Sequence, residues 1–288
     1  LSLHDALPIL IGYKSIKHLI ISEGITSIGN YAMYTNSDLL DINIANTVKT
    51  IGNYAFDECT NLQTITGMQG VEDIGDRAFF GVSKLAMLLS LPNVKTIGAY
   101  AFNGVKVTGL NATELTTVGS YSFSNVTTLT SVNAPSLSSI GANAFEGDTA
   151  LSSVSIASNS TIAVRAFKNT PVHATYPGKS TFGIGLTNAN DVIAEYNDYT
   201  QIIRIYGTGA MRNFTYNSGL VNNLTLDNVQ KLVVEDGVTN IGDFLLYEVV
   251  SIPEVHLANS VETIGRCAFS EMEATAPKGL LTVTGMQG

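Results

Sequence analysis

The chain of 288 residues is acidic and carries few charges for its length. Charged residues make up 14% of it, against roughly 25% in an ordinary globular protein, and the net charge is −9. No basic cluster is present, so the composition argues against a nucleic-acid partner. No apolar run approaches the roughly 20 residues that a membrane-spanning helix requires. Two cysteines are too few for a disulfide framework.

Both ends of the chain carry sequence signals unrelated to folding. Residues 1–9 (LSLHDALPI) match the conceptual translation of a common sequencing-adapter DNA at every position. We therefore expect this segment to be a library artefact, with a natural apolar leader as the alternative, and exclude it from the fold prediction. The string TGMQG at 284–288 repeats the string at 66–70, which lies inside a repeat. We expect the natural protein to continue past Gly288.

One pattern recurs through residues 10–176 at a spacing of 21 to 23 residues. It consists of Ile-Gly, two variable residues and Ala-Phe, as in Ile51-Gly52 followed by Ala55-Phe56. Seven copies have their Ile or Val at Ile28, Ile51, Ile74, Ile97, Val118, Ile140 and Ile162. A fixed period of this length indicates a solenoid, in which each repeat buries its apolar face against its neighbours.

Within one repeat the sequence predicts a short strand, a tight corner and a return segment. Apolar pairs three positions apart, such as Leu62 and Ile65 or Leu85 and Leu88, follow leucine-rich repeat spacing and are expected to point inward. Gly after Ile suits a positive φ or a close backbone approach. Ala permits a short helical turn, and Phe fills the space between coils. The predicted fold is a leucine-rich repeat solenoid, a β-rich α/β structure, with short parallel strands on one face and short helical turns or loops on the other.

The period is lost after Pro171, and a different segment spans residues 177–228. Its apolar and polar residues predict a β-hairpin of residues 192–196 and 201–206. From residue 229 the sequence repeats the opening of the first array at an offset of 213 residues, and two further copies of the pattern follow. We predict two arrays, 10–176 and a truncated 229–288. The intervening residues 177–228 would be a linker and a hairpin cap, because an open solenoid end exposes strand edges and core.

The repeats resemble the bacterial BspA-like leucine-rich repeat family. The resemblance rests on IGNYAFDECTNLQTI at 51–65, IGDRAF at 74–79, IGAYAF at 97–102 and IGANAF at 140–145, and it covers most of the chain. It implies a parallel-stranded solenoid located outside the cell or on a bacterial surface, often in an adhesin or host-contact protein. It offers no catalytic residue that could be transferred to this chain.

Motifs that suggest chemistry are incomplete. Gly178-Lys179-Ser180 lacks the Gly that a phosphate-binding loop needs five positions earlier, where His173 stands. The histidines have no metal-ligand neighbour at a suitable spacing, and the acidic pairs do not have the spacing of a calcium loop. We therefore predict no catalytic residue, no cofactor and no metal site.

Two columns of side chains are candidate binding surfaces. One is the outward polar set on the strands, which a parallel solenoid would stack into an uncharged sheet that could bind a glycan or protein: Gln63, Thr64, Thr66, Thr108, Asn111, Thr130, Ser131, Asn133, Ser152, Ser153 and Ser155. The other is a column of rigid aromatic residues with polar tips, each three residues after the repeat's Ile or Val: Tyr31, Tyr54, Tyr100 and Tyr121. For the polar set, the competing interpretation is that these residues only make the strands soluble. For the tyrosines, it is that the rings pack laterally between coils.

The sequence favours a non-enzymatic recognition or adhesion module of a bacterial cell surface. Its partner would be an extracellular protein or glycan, with no nucleic acid and no membrane span involved. Affinity would be spread over many weak contacts on a repetitive face. Two alternatives remain: a passive structural spacer, and the targeting arm of an enzyme whose catalytic domain lies outside this sequence. The sequence specifies no oligomeric state.

Overall fold

The computed structural model describes residues 16–215, 219–220, 228–247, 252–269 and 282–284. The chain divides into two compact units, Leu1–Gly178 and Lys179–Gly288. Residues 1–9, which the sequence assigns to an adapter, and residues 285–288 of the repeated C-terminal string lie outside the described residues.

The first unit is a solenoid of parallel β-strands, as the repeat pattern predicts. Strands at equivalent positions of successive coils pair in parallel, for example Thr50–Ile51 with Asp73–Ile74. The described strands of this unit are β1 (His18–Ile21), β2 (Ser27–Ile28), β3 (Asp41–Ile44), β4 (Thr50–Ile51), β5 (Thr64–Thr66), β6 (Asp73–Ile74), β7 (Leu88–Ser90), β8 (Thr96–Ile97), β9 (Gly109–Asn111), β10 (Thr117–Val118), β11 (Ser131–Asn133), β12 (Ser139–Ile140), β13 (Ser153–Ser155) and β14 (Thr161–Ile162).

Each coil contributes two strands rather than one. A two-residue strand that ends on the repeat's Ile or Val belongs to a continuous seven-stranded sheet, in the order β2-β4-β6-β8-β10-β12-β14. The longer strand, which carries the leucine-rich repeat spacing, belongs to a three-stranded sheet, β1-β3-β5, or to a four-stranded sheet, β7-β9-β11-β13. The sequence predicts only a corner at Ile-Gly, so the seven-stranded sheet is a finding of the structure.

The longer strand shifts by one residue between the third and fourth coils. Ile65 lies nine positions before Ile74, whereas the buried Leu89 lies eight positions before Ile97. The shorter connection slides the strand by one residue, and a one-residue slip exchanges the two faces of a strand. The prediction that Leu88 points inward is therefore wrong: its side chain is 56% exposed. At this point the sheet is interrupted, since β5 and β7 belong to different sheets.

The turns after Ile-Gly contain residues in the left-handed backbone conformation. In the first-unit repeats the third and seventh residues after the Ile or Val have positive φ, for example +57° at Tyr54 and +59° at Glu58, and such residues interrupt a helix. The turn is instead hydrogen-bonded to the next coil, because the N–H groups of Tyr54 and Glu58 each donate to a carbonyl there, of Asp76 and Phe80, at 2.8 Å. In the described part of the first unit the only helix is the short 3₁₀ helix Met68–Gly70.

A stack of aromatic rings fills the first unit from coil to coil. The members are fully buried and their successive ring centroids lie between 5.1 and 5.4 Å apart: Phe56, Phe79, Phe102, Phe123, Phe145 and Phe167. Tyr176 closes the stack, with its ring 5.5 Å from Phe167 and its hydroxyl donating to the Val154 carbonyl at 3.1 Å. The predicted role of Phe as filler between coils is confirmed, and residues after the last repeat cover its end.

The second unit contains the predicted hairpin, formed by its second and third strands, and opens with one further strand that the sequence did not predict. The first strand pairs antiparallel with the second, the second pairs antiparallel with the third, and the third pairs in parallel with the first strand of the second array. The strands are β15 (Lys179–Gly183), β16 (Val192–Asn197), β17 (Ile202–Gly207), β18 (Gly209–Ala210), β19 (Lys231–Val234), β20 (Val238–Ile241), β21 (Glu254–His256), β22 (Thr263–Ile264) and β23 (Thr282–Thr284). They form two sheets, β15-β16-β17-β19-β21-β23 and β18-β20-β22.

This arrangement makes the hairpin a cap. β17 covers the edge of β19 that would otherwise be open, as the physical argument for a solenoid end requires. β19 begins at Lys231, 213 residues after the start of β1 at His18, so the sequence echo corresponds to equivalent strands.

Candidate binding surfaces

The polar residues predicted on the strand face lie on two separate sheets. Gln63, Thr64 and Thr66 lie at β5, the last strand of the three-stranded sheet. The others lie on or beside β9, β11 and β13 of the four-stranded sheet: Thr108, Asn111, Thr130, Ser131, Asn133, Ser152, Ser153 and Ser155. All are exposed except Ser131, which is half-buried. The interruption between β5 and β7 therefore divides this set into a small and a large part.

In the large part, equivalent side chains of successive coils lie next to one another. Ser131 pairs with Ser153 across the β11-β13 ladder. The amide nitrogen of Asn133 donates to Oδ1 of Asn111 at 2.9 Å, and the Thr130 hydroxyl donates to a carbonyl of the preceding coil at 2.8 Å. Some of the polar groups thus stabilise coil–coil contacts, while their exposed atoms form an uncharged, hydrogen-bonding surface.

Sequence reasoning missed exposed apolar side chains on neighbouring strands of the same sheets. Leu88 covers Gly109 of the next strand, since its Cδ1 lies 2.8 Å from the point where a Cβ at Gly109 would be. Ile20 on β1 is 74% exposed. The signal that could have revealed Leu88 is the eight-residue spacing of the following repeats, such as Leu110 to Val118, which Leu89 rather than Leu88 has to Ile97.

The four predicted tyrosines form two stacked pairs on the turns rather than one column. Tyr31 and Tyr54 stack with ring centroids 4.8 Å apart and planes 11° apart. Tyr100 and Tyr121 stack at 4.8 Å and 8°. Tyr34, which the sequence analysis did not single out, lies edge-on to Tyr31 at 5.6 Å. The stacking favours lateral packing for the ring faces, yet Tyr31 and Tyr34 remain about half exposed.

Arg77 occupies the same turn position between the two tyrosine pairs. Its guanidinium carbon lies 3.8 Å from the ring centroid of Phe80 and 5.4 Å from that of Tyr54. Its Nε donates to Oδ2 of the buried Asp57 at 2.9 Å, and this hydrogen bond raises the pKa of the Arg77 side chain. Phe80 in turn lies edge-on to Tyr100 at 6.4 Å. The aromatic surface is therefore continuous along the turns, and its guanidinium is neutralised by Asp57.

A column of exposed Asn and Asp side chains precedes the first tyrosines in the sequence. Oδ1 of Asn30 accepts the N–H of Asn53 at 2.7 Å, and Oδ1 of Asn53 accepts the N–H of Asp76 at 2.8 Å. Oδ1 of Asp76 accepts the N–H of Ala99 at 2.7 Å. The side-chain ladder ends there, because Ala99 and, one coil on, Ser120 replace the longer polar residues. The sequence carried a weak signal for this ladder, a polar residue directly after Ile-Gly in three successive repeats.

Two titratable groups are buried at the eighth position after the repeat's Ile or Val, where other coils place Val or the polar residues Asn36 and Thr170. Cys59 is fully buried, and burial raises the pKa of its thiol to about 12. Asp148 is fully buried in the equivalent position, where Oδ1 accepts the N–H of Val126 at 2.7 Å and Oδ2 has no hydrogen-bond partner in the described structure. Burial raises the pKa of Asp148 to about 9. This carboxyl is therefore protonated at neutral pH and destabilises the fold when it ionises.

The described residues hold no group of three or more His, Cys, Asp or Glu side chains that could bind a metal ion. Lys179, which follows Gly178 in the incomplete phosphate-loop motif, begins the antiparallel strand β15. Within the ranges that the structure describes, no helix is long and apolar enough to cross a membrane.

Comparisons with known proteins place the fold among bacterial leucine-rich repeat structures. A leucine-rich repeat protein from Bacteroides ovatus shares 20% identity, with 88% of this chain and 72% of that chain covered, at a TM-score of 0.50. A leucine-rich repeat protein from T. pallidum shares 21% identity over 55% of this chain and 79% of its own, at a TM-score of 0.46. A leucine-rich cell surface protein from Faecalibacterium prausnitzii shares 17% identity, with 88% of this chain and 67% of that chain covered, at a TM-score of 0.42. No curated protein matches the sequence.

The family is established by the sequence pattern itself. The family model for the BspA type leucine-rich repeat region matches in six copies, over residues 11–108, 88–184 and 223–277. These ranges cover well over half of the chain, and they coincide with the described parallel-stranded coils of both units. The chain therefore belongs to the BspA-type leucine-rich repeat family.

Proposed function

We propose that this chain is a recognition module of a bacterial cell surface, which binds an extracellular protein or glycan and catalyses no reaction. Membership of the BspA-type family supports a repeat-based interaction module. A leucine-rich cell surface protein among the structural neighbours supports an extracellular or surface location.

The observation that carries this proposal is the outward face of β9, β11 and β13. Exposed Ser, Thr and Asn side chains lie there in adjacent coils, above inward residues that are buried on β9 and β11 and half-buried on β13. A surface held rigid in this way loses little conformational entropy when it binds. Each side chain offers a weak contact, and repetition along the coils lets many weak contacts act together.

Binding of the whole chain to an array of extracellular-matrix proteins and glycans tests the proposal. One variant places four lysines on the proposed face: T130K, S131K, S152K and S153K. A matched variant places four lysines at Thr or Ser positions exposed on the seven-stranded sheet: T50K, T117K, S139K and T161K. We expect saturable binding that the first variant loses and the second keeps.

Three results would count against the proposal. Equal loss of binding in both variants would indicate a general charge effect. Equal retention of binding would show that the site does not lie on the strand face. A folded chain that binds nothing in the array would support the passive spacer, or the targeting arm of an enzyme whose catalytic domain lies outside this sequence.

A further inference from the structure

We infer that the turns of the first two coils carry a second binding site, specific for an uncharged polysaccharide. This N-terminal aromatic patch consists of Tyr31, Tyr34 and Tyr54 with the amides of Asn30 and Asn53. It lies on the turns rather than on β9, β11 and β13, so it does not depend on the strand face proposed above.

The first argument is the exposure of two rings in a cluster of three, in which Tyr54 is half-buried. Tyr31 is 54% and Tyr34 is 48% exposed, although the aromatic side chains of the neighbouring Phe stack are fully buried. Tyr34 lies edge-on to both partners, 5.6 Å from Tyr31 and 6.5 Å from Tyr54. Clustered exposed aromatic residues are typical of binding surfaces. Because each ring is held by the others, little side-chain entropy is lost when a ligand binds.

The second argument is the polar chemistry beside the rings. The side-chain oxygens of Asn30 and Asn53 are already occupied by backbone N–H groups of the next coil. Both residues are exposed, and their amide nitrogens make no hydrogen bond to other described residues, so they are donors fixed in position. A sugar ring offers C–H groups to an aromatic surface and hydroxyl oxygens to amide and phenol donors. The patch supplies both kinds of contact within two coils.

The third argument is charge. Arg77, whose guanidinium carbon lies 5.4 Å from the Tyr54 ring centroid, is paired with Asp57 and packed over Phe80. The exposed carboxylate of Asp76 continues the amide column, and the whole chain has a net charge of −9. This electrostatic setting opposes an anionic polysaccharide and leaves an uncharged one unaffected. A proline-rich peptide would require a groove between rings, and Tyr31 and Tyr54 are closed against each other at 4.8 Å.

The chain contains its own control for aromatic packing. Tyr100 and Tyr121 occupy the same turn position and stack with the same 4.8 Å separation. Ala99 and Ser120 stand where the first pair has Asn30 and Asn53. Removing this second pair removes the same number of stacked rings from the turns, but at a place that has no amide donors beside it.

The experiment measures binding of the whole chain to xylan, mixed-linkage β-glucan and dextran by affinity electrophoresis. Titration with the oligosaccharides of the polymer that retards the protein then gives the dissociation constant. The chain has no Trp, so its intrinsic fluorescence comes from its 12 Tyr residues, and the part of the binding signal that Y31A/Y54A loses is that of the patch. Heparin, polygalacturonate and a proline-rich peptide serve as ligands of other classes. Three double variants are compared: Y31A/Y54A, Y100A/Y121A and N30D/N53D. The last keeps the ladder oxygens, as Asp76 shows, and replaces each amide donor with a charged carboxylate oxygen that can only accept.

We expect at least one neutral polysaccharide to bind the wild-type chain. Y31A/Y54A and N30D/N53D should weaken that binding at least about tenfold, which corresponds to about 1.4 kcal/mol, while Y100A/Y121A should change it less than about twofold. Failure of all neutral polymers, preference for an anionic polymer or the peptide, or equal loss in Y100A/Y121A would overturn the inference. The strand-face lysine variant should still bind the polysaccharide, so failure of one proposal does not imply failure of the other.

Discussion

Replacing Phe102 with Ala is expected to destabilise the first unit by about 3–5 kcal/mol, the usual range for a buried Phe. The ring is fully buried between Phe79 at 5.1 Å and Phe123 at 5.2 Å. Two stacking contacts are lost with it, each contributing about 0.5–1.5 kcal/mol. The cavity cannot easily collapse, because the backbone N–H of Phe102 is bonded to the next coil at 2.7 Å. We therefore expect the upper part of the range.

Urea unfolding of the whole chain, followed by far-UV circular dichroism, measures this change. Since the chain has two units, the transition of the first unit is fitted separately from that of the second. Tyr34→Ala is the matched control, because it also removes an aromatic ring but one that is half exposed, and we expect a change below about 1 kcal/mol. A loss for Phe102→Ala no larger than for the control would refute the continuous ring stack.

Three further predictions concern buried or closely packed positions. Asp148→Val should raise the free energy of unfolding at neutral and alkaline pH. The folded-state pKa of Asp148 is raised from 3.8 to about 9, so the wild-type chain loses up to about 1.4 kcal/mol per pH unit as the pH rises through this interval. Urea midpoints of the two proteins should diverge from pH 5 to pH 8, and parallel curves would contradict the argument. Gly98→Ala should destabilise by about 1–3 kcal/mol, since a Cβ would lie 2.5 Å from the backbone nitrogen of Asp76; an unchanged melting temperature would show that the coils are farther apart. Because Cys59 is buried and burial raises its pKa to about 12, a thiol reagent at pH 8 should label only Cys267 in the native chain and both cysteines in urea. Rapid labelling of two thiols without urea would place Cys59 outside the core.

The sequence by itself determined the architecture. Each repeat is too short to bury its own apolar face, so its Ile, Ala and Phe positions must recur in phase and face the neighbouring coils. Because this requirement recurs in every repeat, the pattern can be recognised in a single amino-acid sequence. It led correctly to the parallel solenoid, to the inter-coil role of Phe102 and its equivalents, and to the hairpin ahead of the second array. It also indicated that Gly after Ile permits a close backbone approach.

Only the tertiary structure decided which side chains form a surface. The sequence spacing at Leu85 and Leu88 satisfies the repeat pattern as well as Leu85 and Leu89 do, and the choice between them depends on how the strand meets Ile97. That choice interrupts the sheet and divides the predicted polar face. Likewise, the tyrosine column becomes two stacked pairs because Arg77 stands between them and is held by Asp57. These outcomes depend on contacts between residues about 20 positions apart, which a repeat pattern does not encode.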